Sequence, residues 1–387
     1  MVNTVEGQSL GRGALQVWFR LSAADVRSAA RAPRPDLAKI EIIAPNLKRR
    51  LSGVTSTIVQ LVPLMSKSLG IATIGPGLPE KLPKIFASQL PGLWRRPISG
   101  RKRIWHARRN VEMVAGIVMK SALRMPLHLV FTSVAQRKHR PFTKWLIRRM
   151  DRVIATSTRA GAYLDVPHSV IMHGVDLDAY HPARSSYDDF AASKLPGKYG
   201  IGCFGRVRHQ KGTDLFVDAM IELLPDYPEW TAVICGRVTV KHAGFAADLK
   251  RRVAEADLTD RIVFLGEVPD VKHWYRRMSV YVAPSRNEGF GLTPLEAMAS
   301  CTAVVASDAG SYAEVVVPGT TGLVVPAGDG PALKKAIAAY LANPGLAEKH
   351  GQNALRHVTD NFGLAREANA IEAVYRSFWS PLNSPPR

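Results

Sequence analysis

Short apolar runs alternate along this chain with longer segments whose apolar residues recur every three or four positions. Lys39-Ile-Glu-Ile-Ile-Ala44 reads as a strand, as do Ile71–Ile74, Arg103–His106, Leu127–Thr132, Val153–Thr156 and Ser169–Met172. Between them, residues 55–69, 110–123 and 140–150 carry helical spacing. A polar stretch rich in Pro, Ser and Asp follows, and then the pattern restarts. Strands are expected at 199–204, 231–235, 262–265, 280–283 and 303–306, with helices at 213–224 and 245–256 and a terminal helix from Phe362 to Ser380. Alternation of this kind predicts parallel α/β sheets. A chain of 387 residues is also too long for one core. The fold class expected is α/β, with two Rossmann-like, doubly wound parallel-sheet domains. The divisions are 1–36 as an N-terminal arm, 37–180 as the first domain, 181–198 as a linker, 199–361 as the second domain and 362–387 as a C-terminal helix.

The most informative segment is Glu288-Gly-Phe-Gly-Leu-Thr-Pro-Leu-Glu296. The apolar run Val280–Ala283 precedes it, and helical spacing (Leu295, Met298, Ala299) follows. Strand, glycine turn and helix in that order offer backbone N–H groups to an anion at the carboxyl end of a parallel sheet. One acid lies on each side of the turn. In the same half, Gly205-Arg206-Val-Arg-His-Gln-Lys211-Gly212 also joins a strand to a helix. Its guanidinium and ammonium suit a diphosphate. In the first half, Gly53 lies between a strand and a helix, where glycine permits close backbone approach or simply makes a tight turn. His106 ends a strand candidate. There is no P-loop, nucleophile elbow, His-Glu-x-x-His or Asp-x-Asp pair. The anion is therefore expected to be held by Arg, Lys and backbone N–H groups, with no metal.

Charge is placed unevenly. The net charge is +20, and residues 1–195 hold 31 Lys and Arg against 12 Asp and Glu, while residues 196–387 hold 21 against 20. Basic clusters such as Lys48-Arg49-Arg50, Arg95-Arg96, Arg101-Lys102-Arg103 and Arg148-Arg149 are interleaved with Trp94, Trp105, Phe142 and Trp145. That mixture fits an anionic membrane surface or anionic glycolipid. A plain basic surface and nucleic acid are the rivals. No nucleic-acid-binding signature accompanies the charge, so nucleic acid is not expected as a partner. The three cysteines form no CxxC pair, which argues against a disulfide framework or zinc site. The N-terminus lacks a secretory layout. The longest apolar window, 111–131, is broken by Lys120, Arg124 and Pro126, so no membrane span is expected.

The motifs together resemble the retaining nucleotide-sugar glycosyltransferases of the GT-B fold, family 4. The Glu288-x7-Glu296 segment carries that resemblance, with Gly205-Arg206, Lys211-Gly212, His173-Gly-Val-Asp176 and Phe264-Leu-Gly266 beside it. It is strong over 170–360, weaker over 37–168, and does not reach the first 36 residues. Within the family the chain looks most like bacterial lipopolysaccharide-core mannosyltransferases that use GDP-mannose. The resemblance implies two domains facing a central cleft, with the last helix crossing back to the first domain. It implies that Glu296 grips the donor ribose, that Arg206 and Lys211 neutralise the diphosphate with the amides of Phe290, Gly291 and Leu292, and that Glu288 orients the donor sugar. It further implies that His106 contacts the transferred sugar and that Gly53 and Gly205 border the donor. Many relatives carry a Gly-Gly pair after the first strand; here Gly53 stands alone. The expected partners are a nucleotide sugar, a lipid-linked anionic glycan acceptor and an anionic membrane. The expected location is cytoplasmic and peripheral, on the inner face of the cytoplasmic membrane. A hydrolytic or phosphorolytic carbohydrate enzyme on the same scaffold, a transferase for another cell-envelope glycan, and a non-catalytic binding protein are the alternatives.

Overall fold

The computed structural model describes residues 35–48 and 53–379. Nearly all of the expected N-terminal arm, together with Arg49 and Arg50 of the first basic cluster, lies outside the described residues. Two parallel sheets organise the chain. The first contains β1 (Ile42–Pro45), β2 (Ile71–Ile74), β3 (Lys84–Ile85), β4 (Arg103–Ala107), β5 (Leu127–Ser133), β6 (Arg152–Ala155) and β7 (Ser169–Val170). Their spatial order is β3-β2-β1-β4-β5-β6-β7. The second contains β8 (Tyr199–Phe204), β9 (Trp230–Cys235), β10 (Ile262–Gly266), β11 (Val280–Ala283), β12 (Ala303–Ser307) and β13 (Gly322–Val325), in the order β10-β9-β8-β11-β12-β13. The strand order reverses between β1 and β4 in the first sheet and between β8 and β11 in the second. Ligands of open α/β sheets bind at such reversals.

The central strands are buried along their whole length, as in the unbroken burial of β1, β4 and β11. Helices cover both faces of each sheet, so these strands need continuous apolar runs rather than alternation. In the first domain, α1 (Gly53–Met65) lies over one face. On the other face α2 (Asn110–Ile117), which continues as a π-turn over Val118–Ala122, and α3 (Pro141–Ile147) cover Trp105, Leu129 and Phe131. A short α4 (Thr158–Gly161) follows β6.

In the second domain the sheet is flanked by α5 (Thr213–Leu223), α6 (Ala243–Glu255), α7 (Lys272–Arg277), α8 (Thr293–Ala299), α9 (Tyr312–Val315), α10 (Gly330–Leu341) and α11 (Pro344–Asn361). The last helix, α12 (Leu364–Arg376), returns to the first domain. Ala368, Ile371 and Tyr375 recur at helical spacing and join the core beneath α1.

The chain passes between the sheets twice, and the two passages are bonded together. Val175 N–H donates to the Phe362 carbonyl (2.8 Å) and Leu364 N–H to that of Val175 (3.0 Å). Glu367 accepts from Gly174 N–H (2.8 Å) and meets His173 Nδ1 at 2.7 Å. Residues 181–198 are packed on the second domain: Phe190 is in its core, and Asp188 pairs with Arg276.

Several element ends differ from expectation. Lys39 belongs to a 3-10 turn capped by Asp36, so the first strand starts at Ile42. Gly53 heads α1 instead of forming a turn before it. β7 keeps only two residues, both exposed at the sheet edge. β3, β13, α10 and α11 are additional to the expected elements; β3 has only two residues, while α10 buries Leu333, Ile337 and Tyr340 at helical spacing. Among the described residues no helix is long and apolar enough to cross a membrane.

Candidate active site

The loops after β8 and β11 meet at the point where the second sheet reverses. Their approach requires Gly212, which has φ +71°; a Cβ there would lie 1.9 Å from the Pro284 carbonyl oxygen. That contact seats the Lys211 turn on the end of β11. Arg286 stitches the two loops further. Its guanidinium pairs with both oxygens of Asp214 (2.8 and 2.7 Å) and donates to the His209 carbonyl (2.7 Å). Planar two-point pairing of this kind fixes orientation as well as distance.

Within this frame Lys211 Nζ forms an ion pair with Glu288 Oε2, both side chains being about four-fifths buried. Tyr312 Oη lies 3.4 Å from the same carboxylate oxygen, and Gly289 N–H donates to Oε1 at 3.1 Å. The turn past Glu288 again demands glycine. Gly291 has φ +82°, and a Cβ would sit 2.3 Å from the Tyr312 ring and 2.8 Å from Glu288 Cγ. Burial pushes the Glu288 carboxyl up, but the Lys211 ammonium outweighs it and holds the group below its ordinary value. Burial likewise opposes the charge on Lys211; Tyr312 and Glu288 outweigh it and raise the ammonium. The pair is therefore ionised at neutral pH.

Glu296 sits on α8 in a different setting. Tyr275 Oη donates to its Oε2 at 2.8 Å, and Tyr180, from the segment joining the domains, also hydrogen-bonds it. Burial raises this carboxyl, while the two phenols work against the rise. Gly205, Arg206, Lys211, Thr213, Ser285, Thr293 and Tyr312 line one small pocket in the crevice. The structure thus gathers Gly205, Arg206, Lys211 and Glu288, with Glu296 further along α8. Among the described residues no three His, Cys, Asp or Glu side chains converge as a metal site would require.

Phe290, Gly291 and Leu292 form the turn itself, leading into α8 at Thr293. The Phe290 ring is buried and meets His173 edge-on at 4.9 Å. From the first domain, Val134 beyond β5 reaches this turn, its methyl 3.5 Å from where a Gly289 Cβ would stand. His106 does not join the group. It is fully buried, its Nδ1 lies 2.5 Å from Tyr375 Oη, and its Nε2 lies 2.7 Å from Thr132 Oγ1. Burial, and then Arg108, hold the imidazole well below its ordinary value. A neutral ring with both nitrogens engaged ties β4 to β5 and α12. Gly53 is placed at the head of α1, and residues 49–52 immediately before it lie outside the described ones.

Sequence reasoning missed the polar cluster at the first sheet's own reversal. Arg109 donates to Asn46 Oδ1 (2.6 Å), Glu112 Oε1 (3.0 Å) and Thr55 Oγ1 (2.9 Å). Glu112 is completely buried and also accepts from Arg108 N–H at 2.8 Å. Tyr180, Tyr275 and Tyr312 were likewise missed, since nothing local marks a tyrosine as a partner for a distant acid.

Comparison with known proteins follows the same lines. Residues 187–357 match the family model described as Glycosyl transferases group 1. The chain is 66% identical over 344 residues to the lipopolysaccharide core biosynthesis mannosyltransferase LpcC of Rhizobium leguminosarum bv. viciae, covering 89% of this chain and 98% of that protein. It is 51% identical over 347 residues to the lipopolysaccharide core biosynthesis mannosyltransferase LpsB of Rhizobium meliloti, covering 88% and 99%. A glycosyltransferase structure from Rickettsia africae superposes with a TM-score of 0.76 at 19% identity, covering 89% of this chain and all of that one. Anabaena HepE in complex with UDP gives 0.76 at 17% identity, covering 87% and 100%. These two share the fold, which is GT-B.

The Lys211–Glu288 pair has a defined pH signature. A depressed carboxyl contributes stability above its unfolded value, ordinarily 4.5, and that stability is lost as pH falls through the lower folded value. The raised ammonium contributes below its ordinary 10.5, and that stability is lost as pH rises through the higher folded value. The stability gap between wild type and Glu288→Gln, measured by denaturant titration, is expected to stay constant between those limits and shrink at the acid end. A gap that does not change with pH would contradict the pair.

Proposed function

The chain belongs to the group 1 glycosyltransferases, and we propose that it moves mannose from GDP-mannose to a lipid-linked, anionic lipopolysaccharide-core acceptor with retention of configuration. The observation that carries this reading is the convergence of Arg206 and Lys211 on one pocket at the sheet reversal, with Glu288 and Glu296 beyond them. Breaking the donor's glycosidic bond leaves a diphosphate that must hold new negative charge. A guanidinium and an ammonium already fixed in a partly buried site stabilise that charge without reorganising as it develops. The amides of Phe290, Gly291 and Leu292 add donors to the diphosphate, and Gly205 keeps the floor of the site open. Lys211 is shared between Glu288 and the leaving group. Glu288 orients the sugar hydroxyls, and Glu296 takes the ribose. The acceptor hydroxyl attacks from the leaving-group side and passes its proton towards the departing phosphate.

The electrostatics speak against the hydrolytic alternative. A two-carboxylate glycosidase needs one acid kept protonated as proton donor beside a second that is free to act as nucleophile or base. Burial does raise Glu296, as a proton donor requires, but Glu288 is engaged by Lys211 and is not free to act as the nucleophile or base. The match to named mannosyltransferases over nearly their whole length supports mannose as the sugar.

The first domain supplies the surface for the acceptor and the membrane. Val111, Val114 and Val118 point outward at helical spacing along α2 and its π-turn. Phe142 and Trp145 on α3 are 58% and 44% exposed and stacked on each other. Asn110 joins the two helices through Thr143, and Trp94 joins the patch through the Leu123 carbonyl. Exposed Arg95, Arg96, Arg124, Arg140, Arg148 and Arg149 surround it. An apolar centre with a basic rim suits peripheral binding to an anionic bilayer at the inner face of the cytoplasmic membrane.

Lys211→Ala and Arg206→Ala are each expected to lower mannosyl transfer from GDP-mannose by at least about a hundredfold; unchanged turnover in both would remove the diphosphate role. Binding to vesicles containing anionic lipid is expected to weaken as salt rises and to drop in a Phe142→Ser, Trp145→Ser double variant. Equal binding to zwitterionic vesicles would contradict the membrane face.

A further inference from the structure

The rim of the cleft carries a set of contacts between the domains that the chemistry above does not use. Helix α4 of the first domain follows directly on β6. Its first two amides are accepted by one carboxylate of the second domain: Thr158 N–H donates to Glu314 Oε2 (2.7 Å) and Arg159 N–H to Glu314 Oε1 (3.0 Å). From the same helix, Arg159 Nη1 donates to the carbonyls of Asp308 and Gly310, the latter at 3.2 Å. One short stretch of the second domain, residues 308–314, is thus held at both ends by two consecutive first-domain residues.

That stretch is also the support of the Glu288 turn. At Gly310 a Cβ would stand 2.6 Å from the Gly289 carbonyl oxygen and 2.9 Å from Glu288 Cβ, so the two backbones are in contact. Ser311 Oγ donates to the Phe290 carbonyl at 2.6 Å, and Tyr312 reaches Glu288 itself. A displacement of 308–314 would therefore move the wall against which Glu288 and Lys211 are set. The contacts at Thr158 and Arg159 are exposed. Hydrogen bonds made at a wet surface are worth little individually, which suits a contact made and broken in each cycle more than a permanent interface. The paired passages near Val175 and Gly363 provide the hinge about which such a contact would open.

We propose that Arg159 and Glu314 form a latch between the domains that holds the cleft closed over the donor and, through residues 308–312, positions Glu288. They are positioning residues and touch no reacting atom. The latch rests on the reading of the cleft as the donor site, but its conformational part can be tested separately. Full-length wild type, Arg159→Ala, Glu314→Ala and the double variant are compared by small-angle X-ray scattering, with and without GDP, and by steady-state mannosyl transfer. Both single variants are expected to have a larger radius of gyration than wild type with GDP bound. Their kcat is expected to fall by at least about tenfold, with GDP affinity within about twofold of wild type. The double variant should lose more than either single one, because the Glu314 carboxylate and the Arg159 guanidinium make separate bonds across the same seam. Glu314→Gln, which keeps a single acceptor oxygen, should fall between. Variants as compact as wild type would overturn the latch, whatever their activity. Expansion with undiminished kcat would overturn the positioning of Glu288. If wild type neither bound GDP nor transferred mannose, the donor reading would fall, while scattering of the GDP-free proteins would still decide the closure.

Discussion

Everything at the centre of this molecule is arranged around one buried ammonium. Lys211 is brought into the crevice by a left-handed glycine packed against the end of β11, and it stays charged there because Glu288 and Tyr312 face it. Glu288 in turn is fixed by a turn that only Gly291 can make and by the 308–312 stretch behind it. A cation retained in such a place at neutral pH needs an anionic partner. The carboxylate fills that need in the protein itself, and a diphosphate would fill it more fully during the reaction. The rest of the second domain reads as the scaffold for this placement: a parallel sheet buried on both faces and two loops stitched by Arg286 and Asp214.

The two domains divide the work by charge. The second is close to neutral, with Arg206 and Lys211 in its crevice and other cations such as Arg251, Arg252 and Lys334 paired over its surface. The first spreads its basic excess over an outer face, where an anionic acceptor and an anionic bilayer would both be attracted. The last helix, α12, binds the two together. Its apolar stripe completes the first domain's core, and Tyr375 closes over His106. The bonds at Val175 and the contacts at Arg159 are places where the halves meet.

How far the chain could be read in advance follows from how local each signal is. Arg206 with Lys211, and Glu288 with Glu296, each lie within one strand–turn–helix segment, so spacing alone brought them to the end of a parallel sheet. The sheets themselves were legible for the same reason, since strands buried on both faces leave continuous apolar runs. His106 shows the opposite case. Its place at a strand end was legible, but its partners Thr132 and Tyr375, the latter 269 residues away, were not. Glu112 is a fully buried partner of Arg109, and no motif spacing marks it. Gly53 suggested a turn, yet heads a helix. The tyrosines around Glu296 arrive from a joining segment and from α7, and no pattern near either residue announces it.

The most direct test of the central claim is a crystal structure of the protein with an intact, non-hydrolysable GDP-mannose analogue. The account predicts the two phosphates between the Arg206 guanidinium and Lys211 Nζ, the mannose against Glu288 and the ribose within hydrogen-bonding distance of Glu296. A fully occupied analogue bound elsewhere, with Lys211 and Glu288 still paired only to each other, would contradict it.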